Sequence, residues 1–371
     1  MEITQLMAIL LFVVGLAFLI VGAEALVRGA SRLAAVLGIS PLVIGLTVVA
    51  FGTSSPELAV SVKSAFSGQT SIAVGNVVGS NIFNVLFILG LSAMIVPLAV
   101  SQQLVRLDVP LMIALSILVL VLSLDENLSR LNGLLLVAIL VAYFWFLIYQ
   151  GRRQSTGPTE ENSRGTGTEA PPKTSRESDR VKDLSLVAGG LALLVLGSRW
   201  LVDSAVDFAR YLGVSELVVG LTIVAAGTSL PEVVTSVIAA MRGERDIAVG
   251  NVVGSNLFNI MGVLGITSVI APAGMKISPA VIGFDLPVMI AVTLACLPMF
   301  FTRGVISRQE GALLLGYYLA YTLYVVLAAS QHDGLPGISV AMLCFVIPLT
   351  ALFLVITALR EIRRRKTASP E

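Results

Sequence analysis

One block of this sequence occurs twice, and the copies lie an odd number of apolar spans apart. Residues 44–60, IGLTVVAFGTSSPELAV, match 219–235, VGLTIVAAGTSLPEVVT, and 72–84, IAVGNVVGSNIFN, match 247–259, IAVGNVVGSNLFN. Both pairs stand at an offset of 175 without a gap. The correspondence extends back through Gly22/Gly197 and Gly38/Gly213, and forward, with small slips, to Asp108/Asp285 and Ser129-Arg130/Ser307-Arg308. Repetition of this kind settles the architecture before any single residue is weighed.

The solvent of that architecture is lipid. Of 371 residues, 56 % are hydrophobic and 13 % charged, about half the charged share of a soluble domain. Apolar runs of about 20 residues, enough to cross a bilayer, occur near 6–27, 41–67, 72–96, 107–124, 131–150, 184–203, 216–242, 247–271, 280–301, 311–330 and 338–359. The first has no basic residue before Arg28 and is too long for a cleaved signal peptide. The expected fold is therefore an all-α polytopic membrane protein. A first five-helix repeat occupies 1–150 and a second 184–330, and an extra helix with a basic tail occupies 331–371. Five spans is an odd number, so the second copy enters the membrane from the opposite side. Inverted repeats of this kind carry their site at the midplane between the halves.

Sorting Lys and Arg among alternating loops puts 19 on one side and 5 on the other. The positive-inside rule then predicts an outside N-terminus, with the central linker and the C-terminal tail cytoplasmic. The linker, 151–183, is rich in Gly, Ser, Thr, Pro and Glu. With little to bury it reads as a disordered tether.

Composition excludes several activities. The 24 basic and 23 acidic residues nearly cancel, so no basic field points to nucleic acid. Cys296 and Cys344 lie inside apolar runs, away from any disulfide or zinc framework, and His332 is the sole histidine. No cofactor and no enzymatic activity are expected. An intramembrane hydrolase would need a Ser/His pair within a span or a His-Glu metal motif, and neither is present.

The repeated block Gly-Thr-Ser-x-Pro-Glu carries the chemistry. Ser40 before Pro41 reads as a helix N-cap with proline at the first position, and Gly68 as the glycine that ends the helix. A helix over 41–67 is about 40 Å long at 1.5 Å per residue, with Ser54 at its middle, so Glu57 and, by the repeat, Glu232 lie near mid-bilayer. A carboxylate there costs roughly 2.5–3.5 kcal/mol or more unless compensated, and nothing basic is near in sequence. Pro56 and Pro231 withhold a backbone donor from the carbonyls of Gly52 and Gly227, and Thr53, Ser54, Thr228 and Ser229 add hydroxyls. Carboxylate, carbonyl and hydroxyl are hard oxygen ligands, suited to Ca²⁺ or Na⁺. In the second block, Ser80 and Asn84 share a helix face with Asn81 adjacent, and Ser255, Asn256 and Asn259 repeat the pattern. Gly75/Gly79 and Gly250/Gly254 are spaced for close helix approach. GNVVGSN lacks the Gly-Lys-Ser/Thr ending of a phosphate loop. Asp108 and Asp285, just before Pro110 and Pro287, read as N-caps; Glu24 with Arg28 reads as an i, i+4 pair, and His332 as a solvated loop residue.

In these motifs the chain resembles the cation/calcium exchanger superfamily, in particular bacterial inner-membrane sodium/calcium exchanger-like proteins. The resemblance covers both halves. It implies ten core helices, with the second, third, seventh and eighth forming the site and the first and sixth gliding across them. By that resemblance Glu57, Glu232 and the carbonyls of Thr53 and Thr228 hold Ca²⁺. Sodium uses Ser54, Ser80, Ser229, Ser255 and the carbonyls of Ala50 and Ala225, while Asn84 and Asn259 line the centre. Several members of the superfamily carry an acid where this chain has Asn259, which leaves two formal charges and opens the question of K⁺ or H⁺ as a coupling ion. A proton-coupled antiporter could use the same glutamates, and a passive channel would need no counter-ion. The expected partners are Ca²⁺, Na⁺ and the lipid bilayer, the expected place is the inner membrane, and a monomer suffices for transport.

Overall fold

The computed structural model describes residues 3–155, 177–211, 225–271, 274–301 and 304–329. The eleventh span at 338–359, His332, the middle of the linker (156–176) and the start of the seventh span lie outside the described residues. Within them the helices are α1 (Ile3–Leu37), α2 (Pro41–Thr53), α3 (Ser55–Phe66), α4 (Thr70–Ile95), α5 (Leu104–Leu122), α6 (Arg130–Ser155) and α7 (Glu177–Tyr211). After a helical turn, Ala225–Gly227, come α8 (Leu230–Met241), α9 (Arg245–Ile270), α10 (Val281–Phe301) and α11 (Arg308–Ala329). Eight of these are long and apolar enough to cross a membrane, and α2 with α3 forms a ninth span bent by 44°. The protein is a multi-pass helical membrane protein.

Helix ends follow local chemistry. Ser40 caps α2 by accepting from the Val43 backbone N–H at 3.3 Å, with Pro41 at the first helical position. Gly68 and Gly243 end the equivalent helices α3 and α8 at positive φ (73° and 82°), a conformation that glycine takes without steric penalty. The next residue in each turn reaches back: Gln69 N–H to the Ser64 carbonyl at 2.8 Å, and Glu244 N–H to that of Ala239 at 2.9 Å. Helix α1 outruns the apolar stretch 6–27. It continues through Arg28 and Arg32 and stops before Gly38, at φ 66°. Likewise α6 and α7 extend into the two ends of the 151–183 stretch, which is helical over 151–155 and 177–183.

The packing displays the inversion. α1 and α7 cross antiparallel at a line of glycines. A Cβ on Gly15 would meet the Gly197 carbonyl at 2.9 Å, and one on Gly22 the Gly190 carbonyl at 2.8 Å. The repeat offset converts the first contact into the second. Gly90 against Gly311 (3.0 Å) and Gly133 against Gly265 (2.7 Å) form another such pair. Contact this close lets backbones pack in a solvent where apolar burial offers no drive to associate.

Two short antiparallel ladders, not foreseen in the sequence, tie the repeats together. Leu98–Ala99 (β1) pairs with Val305–Ile306 (β4), and Asn127–Leu128 (β2) with Met275–Lys276 (β3). β1 and β3 are repeat equivalents, yet they lie at opposite ends of α5, as inverted copies require.

The core sits around α4 and α9. These spans are 72 % and 83 % buried, against 11–44 % for the other six unbroken spans among the described residues. Gly254 of α9 lies against α2, where a Cβ would stand 2.7 Å from Leu46 Cα. The repeat equivalent of that contact, Gly79 with 221–225, falls mostly outside the described residues. Asp108 is not an N-cap. It lies inside a continuous helix, and its buried carboxylate accepts from Tyr143 Oη at 2.9 Å and Gln103 Nε2 at 3.3 Å. Asp285 likewise accepts from Tyr321 Oη at 3.1 Å. The helix runs through each aspartate because a π-helical turn joins it to the helix that follows. A tyrosine from the next span supplies the donor a buried carboxylate requires.

Candidate functional site

The bent span supplies the first acid. α2 ends at Thr53, Ser54 adopts φ −81° and ψ 8°, and α3 restarts with Pro56 in its first turn. Ser229 repeats the break at φ −90° and ψ 9°, with Pro231 following. The proline ring cannot donate and clashes with the carbonyl four residues back, so the helix reopens where the motif places its acid. Glu57 and Glu232 then fall in the first turn of α3 and α8, where unpaired N–H groups favour negative charge. Both are fully buried.

The two halves exchange hydrogen bonds at this point. Ser54 Oγ donates to Glu232 Oε1 at 2.8 Å, and Ser229 Oγ donates to Glu57 Oε1 at 2.7 Å. Each acid is thus held by the serine of the other repeat, and this brings both carboxylates to one place. Ser229 also stands 3.3 Å from Ser80 Oγ of α4, which adds a third helix. Arg28 and Arg242 pair with Glu24, and Arg32 with Asp183; none of these ion pairs involves Glu57 or Glu232.

What these side chains leave unpaired is more telling. Glu57 Oε2, Glu232 Oε2, Thr228 Oγ1, Ser255 Oγ, Asn84 Oδ1 and Asn259 Oδ1 are buried without a hydrogen-bond partner. Among the described residues Ser92 Oγ, Asn127 Oδ1, Gln150 Oε1, Thr235 Oγ1 and Thr267 Oγ1 are unpartnered as well, but only the first set includes the two acids. Buried polar atoms normally find partners, and leaving one without costs about 1–3 kcal/mol, more when charged. A set of orphaned oxygens around two acids fits a hard cation in both ligand type and charge.

Of the other residues expected here, Thr53 Oγ1 lies 3.1 Å from both the Val49 carbonyl and Asn251 Oδ1. The Ala50 carbonyl accepts the Ser54 N–H at 3.0 Å. Ala225 begins the helical turn before the second break. The Gly227 carbonyl, freed by Pro231, is taken by Ser198 Oγ of α7 at 2.7 Å, so it is engaged by the protein rather than left open. Asn84 and Asn259 each open a π-helical turn, Asn84–Leu89 and Asn259–Leu264, a distortion common at functional sites.

Sequence reasoning missed the supports behind the acids. Asn76 Nδ2 donates to the Glu57 carbonyl (3.2 Å) and Ser61 Oγ (3.0 Å); Asn251 Nδ2 donates to the Glu232 carbonyl (3.4 Å) and Ser236 Oγ (2.9 Å). These asparagines bolt α4 to α3 and α9 to α8 beside each acid. The signal was present, since all four residues are identical between the repeats, but nothing in a sequence says that an amide turns toward a backbone carbonyl.

The fold is that of a multi-pass membrane transporter built of inverted repeats, with two buried acids cross-tied between them. The family model described as sodium/calcium exchanger protein matches residues 7–149 and 182–327. The chain belongs to that family. It is 40 % identical over 320 residues to a putative antiporter, CaxA, of Alkalimonas amylolytica, covering 85 % of this chain and 98 % of that one. It is 35 % identical over 339 residues to the sodium/calcium exchanger MaX1 of Methanosarcina acetivorans, covering 84 % and 96 %. Its fold is similar to that of the sodium-calcium exchanger NCX_Mj soaked with Na⁺, with a TM-score of 0.72 at 30 % identity over 88 % of this chain and 99 % of that one.

Proposed function

We propose that this protein exchanges Ca²⁺ for Na⁺ across the cytoplasmic membrane by alternating access, with Glu57 and Glu232 holding the ion. The carrying observation is the set of unpartnered buried oxygens around two acids that are cross-tied between the repeats. Family membership and relatives named as exchangers support the same reading. Thr53, Thr228, Ser54, Ser229, Ser80, Ser255, Asn84, Asn259, Ala50 and Ala225 complete the lining, with Ca²⁺ taken by the glutamates and the threonine positions.

Charge dictates the coupling. Two carboxylates make −2, which one Ca²⁺ or two Na⁺ neutralise. The same oxygens cannot serve both, so occupancy is mutually exclusive. An empty cage leaves two uncompensated charges in a low-dielectric interior and resists moving, whereas a loaded one is near neutral. Mutual exclusion together with reluctance to move empty gives counter-transport.

An asymmetry in the packing supports the alternating part. A Cβ on Gly52 would meet Leu191 of α7, and one on Gly227 would meet Val202, also of α7. A two-fold symmetric molecule would set Gly227 against Leu16, or Gly52 against Val27. One packing of the α1–α7 pair on the core is realised, and the repeat defines the other. In this proposal the N-terminus is outside and the linker cytoplasmic. On the linker side Arg242 pairs with Glu24, and Ser31 donates to Glu244 at 2.7 Å, fastening α1 to the α8–α9 turn.

Ion-gradient flux in proteoliposomes tests the proposal. An outward-to-inward Na⁺ gradient should drive ⁴⁵Ca²⁺ movement the opposite way, with K⁺ and H⁺ gradients alone ineffective. Ca²⁺ flux driven by a pH gradient without Na⁺, or flux needing no counter-ion, would replace it with proton-coupled antiport or a channel.

A further inference from the structure

Asn81 and Asn256 fall outside the expected ligand set, yet they join the two repeats at its centre. Asn81 Nδ2 donates to the backbone carbonyl of Asn256 at 3.3 Å and lies 3.6 Å from Met289 Sδ. Asn259 Nδ2 donates to Asn81 Oδ1 at 3.2 Å. Across the repeat, Asn84 Nδ2 donates to Asn256 Oδ1 at 3.0 Å, while Asn256 Nδ2 lies 3.5 Å from Met112 Sδ. All four asparagines are buried.

The direction of the Asn81 amide follows from what its neighbour can accept, while Asn256 turns its nitrogen to the Met112 sulfur, a weak acceptor without a proton to donate. A backbone carbonyl has lone pairs and no proton, so the nitrogen of Asn81 must face Asn256 and its oxygen must face away. That oxygen can only accept, so Asn259 must turn its nitrogen toward it. The oxygen of Asn259 is then left over, and it is one of the unpartnered buried atoms; Asn84 Oδ1 is another. A flipped Asn259 would present two N–H donors where a lone pair is needed.

We infer that Asn81 and Asn256 are positioning residues that hold Asn259 and Asn84 with their amide oxygens turned toward the transported ion. Each acts on the asparagine of the opposite repeat, so neither half alone can set its own ligand. The inference rests on the proposed reading that Glu57 and Glu232 bind the ion.

A carboxylate presents oxygen from both ends and needs no such orientation. This separates positioning from mere packing. Full-length protein in nanodiscs is titrated with Ca²⁺ in Na⁺-free buffer, with thermal unfolding in chelator recorded for every variant. Asn81→Ala should raise the Ca²⁺ dissociation constant about tenfold in the wild-type background. In the Asn259→Asp background the same substitution should change it less than about twofold. Asn256→Ala should be relieved by Asn84→Asp and not by Asn259→Asp, and this arm decides the matter should Asn81→Ala not accumulate as folded protein. An equal loss in every background, or relief without regard to which partner is changed, overturns the inference. Glu57→Gln is the control for the underlying reading: if it retains Ca²⁺ binding, that reading fails first, whatever the asparagines do.

Discussion

Replacing Glu57 by glutamine removes one of two formal charges while preserving the shape of the side chain. The Ser229 hydrogen bond to Oε1, 2.7 Å long, survives because an amide oxygen accepts as well. At Oε2, which has no partner, two N–H donors appear in place of a lone pair. With Ca²⁺ at a typical 2.4 Å from oxygen, one carboxylate contributes about 14 kcal/mol of Coulomb attraction at an effective dielectric of ~20. Most of that is offset by stripping water from ion and acid. Removing one partner of a buried charge pair leaves a net loss of roughly 3–5 kcal/mol, or about two to three and a half decades of affinity. The empty protein responds with the opposite sign, because it sheds an uncompensated buried charge. Thermal unfolding in Na⁺-free chelator should therefore give a higher midpoint for Glu57→Gln than for wild type. Adding Ca²⁺ should raise the wild-type midpoint, by about 2.7 kcal/mol of stability at a hundred times the dissociation constant, and leave the variant unmoved. Na⁺-driven ⁴⁵Ca²⁺ flux should be lost as well. A variant that transports normally, or that Ca²⁺ still stabilises as much as wild type, would refute the cage. Glu232→Gln should behave alike, since it is held by Ser54 in the same manner.

Three further outcomes follow from the geometry. Ser229→Ala removes a hydrogen bond to a charged acceptor, worth about 1.5–3 kcal/mol, and should raise the apparent KM for Ca²⁺ about tenfold in flux assays with expression unchanged; an unaltered KM would count against cross-repeat tethering. Gly22→Val drives a side chain into the Gly190 carbonyl, 2.8 Å from the Cβ position, and should cost about 1–3 kcal/mol of overpacking, whereas Gly189→Ala, with nothing within 4 Å, should be silent in the same thermal unfolding assay. Glu24→Gln breaks its pairs with Arg28 and Arg242, the latter with both partners 32 % exposed, so stability should fall by less than about 1 kcal/mol per pair while maximal flux changes measurably, because α1 loses one of its two ties to the α8–α9 turn; equal flux would mean that this contact does not restrain the moving helices.

Much of this molecule was legible in the chain. The doubled motif placed Glu57 and Glu232, the breaks at Ser54 and Ser229 and the caps at Ser40 and Gly68, because each depends on residues within a few positions along the backbone. Asp108 and Asp285 misled for a related reason. An aspartate before a proline is a good local N-cap signal, but here a π-helical turn carries the helix through it and a tyrosine some 35 residues on takes the carboxylate. The Gly227 carbonyl was correctly read as freed by Pro231, yet its occupant, Ser198, comes from another helix. Asn76, Asn251, Asn81 and Asn256 went unread as supports because an amide has two unlike ends, and only its neighbours decide which end faces where.

By itself the sequence determined the solvent, the inversion and the residue types in the doubled blocks, since hydropathy and an exact 175-residue offset are properties of one dimension. Tertiary structure decided what those residue types become. It set each serine on the acid of the opposite repeat, left oxygens of both acids without partners, and packed α7 against the glycine of each helix break. Partner choice across 150 or more residues depends on which helix faces come together in the bilayer, and no local pattern encodes that.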